Sequence, residues 1–191
     1  MSNRAMERNI LLVFTSPRKN GNTSVIAQAF CDGAQSRGAV VHRIDIGGKP
    51  IRGCLECYAC CQDHQGCVQK DSLWDIYANF HLYDAVVFAG PVFFGGLPAQ
   101  MKAFIDRLFS LYPGGGSKDS ALLMTAEGGE ETGLGGMSNL EAARLGYQTA
   151  LHYIQWNIQG IVIATHLKSY EDALRCEARR EAYELGRRMG G

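Results

Sequence analysis

Short apolar runs alternate along the chain with segments in which apolar residues recur every three or four positions. The runs barely alternate between apolar and polar side chains, so we expect them to be strands buried on both faces. They predict five strands, at residues 10–14, 40–44, 85–89, 121–125 and 158–165. Because helical periodicity fills the segments between them, the pattern predicts an α/β fold, a parallel sheet covered by helices on both faces.

The helical segments carry apolar stripes wide enough to cover a sheet. They predict helices at 24–37, 73–80, 97–108, 140–151 and 174–189. Ser138 and Glu141 have the spacing of a capping box ahead of the fourth helix. The fifth helix is strongly charged on its outer face, where arginines interleave with acidic residues, and we interpret that face as solvated.

Composition narrows the class of protein. The 191 residues carry 19 basic and 19 acidic side chains and no net charge, which provides no long-range attraction to nucleic acid or to anionic lipid. We find no apolar run of membrane-spanning length and no secretory signal in residues 1–9. The sequence therefore predicts a single domain over residues 1–191, in a cytoplasmic protein that binds neither nucleic acid nor membrane.

The segment after the first strand has the composition of an anion-binding loop. Ser16, Arg18, Asn22, Thr23 and Ser24 supply hydroxyls, an amide and a cation just where a helix begins. Helix N-termini bind phosphate through unpaired backbone N–H groups. The loop lacks both the GxxxxGK[ST] and the GxGxxG patterns, which favours a monophosphate. The alternative is a tight turn in which Thr23 only caps the helix.

The loop after the third predicted strand would complete such a site, because ligands of open α/β sheets bind beyond the carboxyl ends of the strands, where the strand order reverses. That loop reads Pro91-Val92-Phe93-Phe94-Gly95-Gly96. Its backbone groups could meet the polar edge of a flat ring, and its glycines would let the ring approach. The alternative is that both phenylalanines belong to the core and the glycines form a turn.

The two loops together resemble those of the NADPH-dependent FMN reductases of the flavodoxin-like superfamily. That pattern is a Ser-Pro-Arg-x-x-Gly-Asn-Thr loop, then Pro-x-aromatic-x-Gly, then a helix ending in Asp-Arg, as Asp106-Arg107 does here. The resemblance implies a flavodoxin-like three-layer sandwich with a five-stranded parallel sheet in the order 2-1-3-4-5. It also implies bound FMN, NADPH or NADH as co-substrate, and a homodimer or homotetramer.

The resemblance further implies which residues contact FMN, including a third loop after the fourth strand. The implied residues are Ser16, Arg18, Asn22, Thr23, Ser24, Pro91, Val92, Phe93, Phe94, Gly95, Thr125 and Gly128. Because the flavin itself carries the hydride chemistry, we expect no catalytic side chain.

Five of the seven cysteines lie in a loop at about residues 50–70. Cys54, Cys57, Cys60 and Cys67 have the spacing C-x2-C-x2-C-x6-C, with Cys61 as an extra thiol. Four converging thiolates can hold a [4Fe-4S] cluster or a structural zinc, and reduced thiols without metal are the third alternative. The motif is similar to that of the iron-sulfur flavoproteins, which implies a cluster that exchanges electrons with FMN.

These features predict an FMN-dependent NAD(P)H oxidoreductase that passes electrons from a nicotinamide to a small-molecule or protein acceptor. One alternative is a flavodoxin-type electron carrier that does not oxidise nicotinamide. The other is a module that uses its thiols to bind metal or a partner and has no flavin.

Overall fold

The computed structural model describes residues 7–62, 66–111, 116–131 and 136–191. The strands are β1 (Asn9–Phe14), β2 (Val40–Asp45), β3 (Ala85–Pro91), β4 (Asp119–Thr125) and β5 (Asn157–Ala164). The α-helices are α1 (Asn22–Gln35), α2 (Ala59–Gln62), α3 (Trp74–Ala78), α4 (Ala99–Arg107), α5 (Glu141–Tyr153), α6 (Tyr170–Arg175) and α7 (Glu177–Gly190). Short 3-10 helices follow α3 and α4, at Phe80–Leu82 and Leu108–Leu111.

The five strands form one parallel sheet in the order β2-β1-β3-β4-β5, which confirms the predicted fold. Phe14 at the end of β1 is in register with Asp45 of β2 and with Ala89 of β3. The loops that follow β1 and β3 therefore leave the same edge of the sheet side by side.

Two apolar cores lie on opposite faces of the sheet, which gives the three-layer sandwich. On one face, Ile10 and Leu12 pack with Phe30 of α1 and Leu185 of α7. On the other face, Leu11, Val13 and Phe88 pack with side chains of α3, α4 and α5. Consecutive residues of β1 thus enter different cores, as the period of two in a strand requires.

The expectation that all five strands are buried on both faces is correct for the three central ones only. His42 and Arg43 of β2 are exposed, and so are residues 157–159 of β5. Both strands are edges of the sheet, so each has one hydrogen-bonded neighbour and is incompletely covered by helices.

Two predicted helix features are wrong. The capping box at Ser138 does not form, because α5 begins at Glu141 and the Ser138 hydroxyl accepts from the N–H of Leu140 (3.2 Å). The C-terminal helix is also interrupted at Cys176, whose extended ψ of 148° separates α6 from α7. A capping box does occur at the start of α6, between Ser169 and Asp172.

Helices α1 and α7 approach closely through glycines. A Cβ atom added at Gly186 would lie 2.1 Å from the carbonyl oxygen of Phe30, and one at Gly33 would lie 2.0 Å from that of Tyr183. Any larger side chain at these positions must push the two helices apart. Among the described residues, no helix is long and apolar enough to cross a membrane.

Substitution of these glycines tests the helix contact. We expect Gly186→Ala to lower the free energy of unfolding by about 1–3 kcal/mol, since backbone atoms rather than a flexible side chain block the new methyl group. Gly146→Ala on the open face of α5 is the matched control, because nothing lies within 4 Å of its Cβ position. That change should raise stability by about 0.5–1 kcal/mol, because alanine restricts the unfolded chain. Urea unfolding of both variants measures the difference, and equal effects would contradict the packing argument.

Candidate functional site

A cleft of about 370 Å³ opens at the carboxyl edge of the sheet, where the loops after β1, β3, β4 and β5 meet. It brings together most of the predicted cofactor residues. Those that line it are Ser16, Arg18, Asn22, Thr23, Pro91, Val92, Phe93 and Thr125. Ser24, Phe94, Gly95 and Gly128 belong to the same loops but lie outside the lining of the cleft.

The N-terminus of α1 faces this cleft with its backbone donors available. Gly21 precedes the helix in an extended conformation, and within the described part of the chain no side chain caps it. Thr23 is not a cap, because its hydroxyl is buried and pairs with the hydroxyl of Thr125 at 2.7 Å. The unpaired N–H groups and the positive end of the helix dipole therefore favour an anion here.

Hydrogen bonds fix the shape of the loop before α1. The Ser16 hydroxyl accepts from the N–H of Arg18 (3.2 Å), and the Ser24 hydroxyl donates to the carbonyl of Gly21 (2.9 Å). The amide of Asn22 donates to the carbonyl of Leu167 after β5 (2.9 Å). Several polar side chains that were predicted to bind the ligand thus hold the loop in shape instead. Arg18 is exposed, lines the cleft and forms no ion pair with a carboxylate among the described residues.

The loop after β3 folds into a tight hairpin beside the cleft. Phe93 and Gly96 exchange both backbone hydrogen bonds (2.9 and 3.2 Å) across the two residues Phe94 and Gly95. Both central residues have positive φ, 48° and 74°, as in a type I′ turn. Phe93 is half exposed and Phe94 fully exposed, so neither belongs to the core. A bulky aromatic residue with positive φ is strained, and such strain is typical of functional sites.

Replacement of Phe94 should separate stability from ligand binding. We expect Phe94→Asn to raise the free energy of unfolding by about 1 kcal/mol, because Asn-Gly is the preferred pair in this turn. The ring of Phe94 lies beside the cleft and outside its lining, but the family resemblance implies that it contacts FMN. On that expectation FMN affinity should fall by roughly tenfold, since the ring would no longer stack on the flavin. Gln155→Asn is the control, at another exposed position of positive φ (58°) that follows α5 at the opposite edge of the sheet. The control should gain stability without a change in FMN affinity, which flavin fluorescence titration measures. Unchanged FMN affinity in Phe94→Asn would contradict a role for the Phe94 ring in flavin binding.

The loop after β5 also contributes to the cleft, which the sequence did not predict. Leu167 and Lys168 line the cleft, as does Glu127 of the loop after β4. The N–H of Leu167 donates to the carbonyl of Ala126 (3.1 Å), and that of His166 donates to Gly128 (3.0 Å). The position of this loop was predictable from the sequence, because the carboxyl ends of all strands in a parallel sheet lie at one edge.

A second cleft of about 360 Å³ lies over the cysteine loop. It is lined by Cys54, Cys57, Cys60 and Cys67, together with Arg107 and other residues of the segment that ends α4. The four cysteines are those of the predicted ligand set, and Cys61 is not among the lining residues. In the described ranges, however, no three cysteine, histidine or acidic side chains stand close enough to hold a metal ion. The metal site therefore stays a prediction. His64, the histidine within the cysteine loop and the only histidine of the sequence placed to be a ligand there, lies outside the described residues.

The backbone of the cysteine loop has an unusual conformation. Glu56 and Tyr58, on either side of Cys57, both have positive φ (53° and 54°), and the N–H of Glu56 donates to the Sγ atom of Cys54 (3.4 Å). Successive backbone N–H groups in such conformations form concavities that bind anions, including iron-sulfur clusters. Burial, aided by a hydrogen bond with Cys61, raises the pKa of the Cys60 thiol to about 11.

The strand order and the cleft at its switch point define a flavodoxin-like protein. Residues 8–157 match the NADPH-dependent FMN reductases, and the chain belongs to this family. An iron-sulfur flavoprotein of Archaeoglobus fulgidus is 35% identical over 96 residues, which are 50% of this chain and 43% of that relative. The chain thus spans about half the length of the curated relatives it matches.

Two solved structures have the same fold. The NAD(P)H:quinone oxidoreductase from Methanothermobacter marburgensis has a TM-score of 0.69 at 18% identity, over 96% of this chain and 94% of that one. An FMN-dependent NADH-azoreductase from Bacillus anthracis, solved in complex with FMN, has a TM-score of 0.68 at 12% identity, over 96% of this chain and all of that one. At these identities the likeness concerns the fold.

Proposed function

We propose that the chain is an FMN-dependent NAD(P)H oxidoreductase, which passes electrons from a nicotinamide through bound FMN to an acceptor. The observation that carries this proposal is the cleft between the loops after β1 and β3, with an uncapped helix N-terminus at one side and a strained aromatic hairpin at the other. Family membership supports it.

The residues present fit FMN at both ends of the cleft. The N–H groups at the start of α1, with Arg18, would hold the phosphate. Pro91, Val92 and Phe93 would lie against the flavin ring, and their backbone groups would meet its polar edge. Bound FMN supplies the hydride chemistry, while the chain positions the ring and the nicotinamide and excludes water. We assign no acid or base catalyst to a side chain.

The cysteine cleft carries the donor set of an iron-sulfur cluster, although in the described ranges no three of these side chains stand close enough together to hold a metal ion. Four cysteines line one cavity, Glu56 and Tyr58 between them have positive φ, and the N–H of Glu56 donates to the Sγ atom of Cys54. We propose a [4Fe-4S] cluster held by Cys54, Cys57, Cys60 and Cys67, which would accept electrons from the flavin singly. The iron-sulfur flavoproteins among the relatives support this proposal.

Association with further copies of the chain, as a homodimer or homotetramer, belongs to the same proposal. The fully exposed ring of Phe94 beside the cleft is a surface that a second subunit would cover. The acceptor would be a small molecule or a protein that reaches the flavin or the cluster.

Anaerobic mixing of the FMN-loaded protein with NADPH and, separately, with NADH tests the activity. We expect the flavin absorption to bleach within seconds with at least one of the two nucleotides. A protein that binds FMN and does not bleach would be an electron carrier instead. A protein that refuses added FMN would leave the thiol module as the function.

A further inference from the structure

Arg107 is a buried charge next to the cysteine cleft. It is the last residue of α4, its side chain is fully buried, and it lines the cleft that the four cysteines share. A buried guanidinium is costly unless it is paired and hydrogen-bonded. The hydrogen bonds of the Arg107 guanidinium therefore indicate its structural role.

The guanidinium bonds to both ends of the cysteine loop. Nη1 donates to the carbonyl of Arg52 (3.5 Å) just before the first cysteine, and Nη2 donates to the carbonyl of Gln69 (3.3 Å) just after the last. The Gln69 amide in turn donates to the carbonyl of Gly53 (2.9 Å). The two ends of the loop are thus joined at one side chain, which brings Cys54 and Cys67 to a common cavity.

The charge of Arg107 is maintained by its surroundings. Nη1 also donates to Asp71 Oδ2 at 2.5 Å, and the guanidinium carbon lies 5.1 Å from the centre of the Tyr77 ring. Burial alone would lower the pKa of Arg107, but the hydrogen bond with Asp71 and the attraction of neighbouring acidic groups together outweigh burial and leave the pKa raised. Nε is buried without a hydrogen-bond partner among the described residues. A buried donor of this kind requires an acceptor.

We propose that Arg107 is a positioning residue for the cysteine cleft, closing the loop that carries Cys54 and Cys67 and placing one positive charge beside a cluster bound there. The second part rests on the proposed function. The charge would favour the reduced cluster, which is more negative by one electron than the oxidised one.

The test uses two variants and a control. Arg107→Met combined with Asp71→Asn removes the ion pair without leaving a lone buried carboxylate, so that the chain can still fold. Arg107→Lys keeps the charge and loses the forked contact with two carbonyls. Arg43→Met is the control. Arg43 belongs to the edge strand β2, where its guanidinium lies over the ring of Phe14 of β1 and pairs with Asp45.

Hydrogen exchange of the metal-free protein measures loop closure. We expect amides of residues 53–62 and 66–69 to exchange about tenfold faster in the double variant and in Arg107→Lys, and at the wild-type rate in Arg43→Met. Unchanged exchange in the double variant would overturn the closing role. This measurement needs no cluster, so it decides that role even if wild-type protein binds no iron and the proposed cluster fails.

The reduction potential of the reconstituted protein measures the charge. The double variant removes one positive and one negative charge, but Arg107 lines the cleft and Asp71 does not, so the loss of the positive charge dominates there. We expect the equilibrium constant for one-electron reduction of the cluster to fall about threefold in the double variant, which is about 28 mV. In Arg107→Lys this equilibrium constant should fall much less, because lysine keeps the positive charge. A potential that is equal in wild type and the double variant would overturn the electrostatic role.

Discussion

Arg18→Glu is expected to weaken FMN binding by roughly 10- to 100-fold. Arg18 is exposed and lines the cleft beside the uncapped start of α1, so its replacement exchanges an attraction to the phosphate for a repulsion. The fold should be unaffected, because no core contact is lost. Fluorescence titration of the flavin-free protein with FMN measures the dissociation constant.

Lys19→Glu is the matched control for this prediction. Lys19 is the next residue, is equally exposed and undergoes the same change of charge, but it does not line the cleft. Its FMN affinity should fall less than about threefold, since solvent screens charges outside the site. Equal losses in the two variants would show that only the net charge of the loop matters, which contradicts a phosphate site at Arg18.

Cys57→Ala is expected to abolish assembly of the proposed iron-sulfur cluster. Cys57 lies between the two strained residues of the loop and lines the cysteine cleft. A cluster with four cysteine ligands does not tolerate the loss of one, and the extra thiol of Cys61 is not placed to replace it, because it lies outside the lining of the cleft. Anaerobic reconstitution should give about four iron and four sulfide per wild-type chain and close to none in the variant.

Cys61→Ala provides the comparison within the same loop. Cys61 is exposed like Cys57 but lies outside the lining of the cleft. We expect it to retain the wild-type content of iron and sulfide. Loss of iron in Cys61→Ala with full retention in Cys57→Ala would contradict the ligand set, and a wild-type chain that takes up no iron would contradict the cluster itself.

The fold was predictable because its signals are local and repeated. Buried strands such as β3 are continuous apolar runs, and a parallel sheet follows from their alternation with helices. The boundaries that failed depend on context. Cys176 has no sequence feature that forbids a helix. The capping box at Ser138 does not form, because the Ser138 hydroxyl accepts from the N–H of Leu140 instead.

The site was predictable as a set of loops rather than as a set of contacts. Ser16 and Arg18 could be assigned to the cleft because they follow β1 directly. The bonds of Thr23 with Thr125 and of Asn22 with Leu167 join residues more than 100 positions apart, which no local pattern can reveal. The bonds of Arg107 with Arg52 and Gln69 were equally hidden, since the sequence shows Arg107 only as the end of the Asp-Arg motif that closes the helix.

The central claim is that FMN binds where the loops after β1 and β3 meet, and a crystal structure of the FMN-bound protein tests it most directly. We expect the phosphate within hydrogen-bond distance of the backbone N–H groups of Asn22 and Thr23, and the flavin ring against Val92 and Phe93. A flavin bound elsewhere on the chain, with this cleft free of it, would contradict the account.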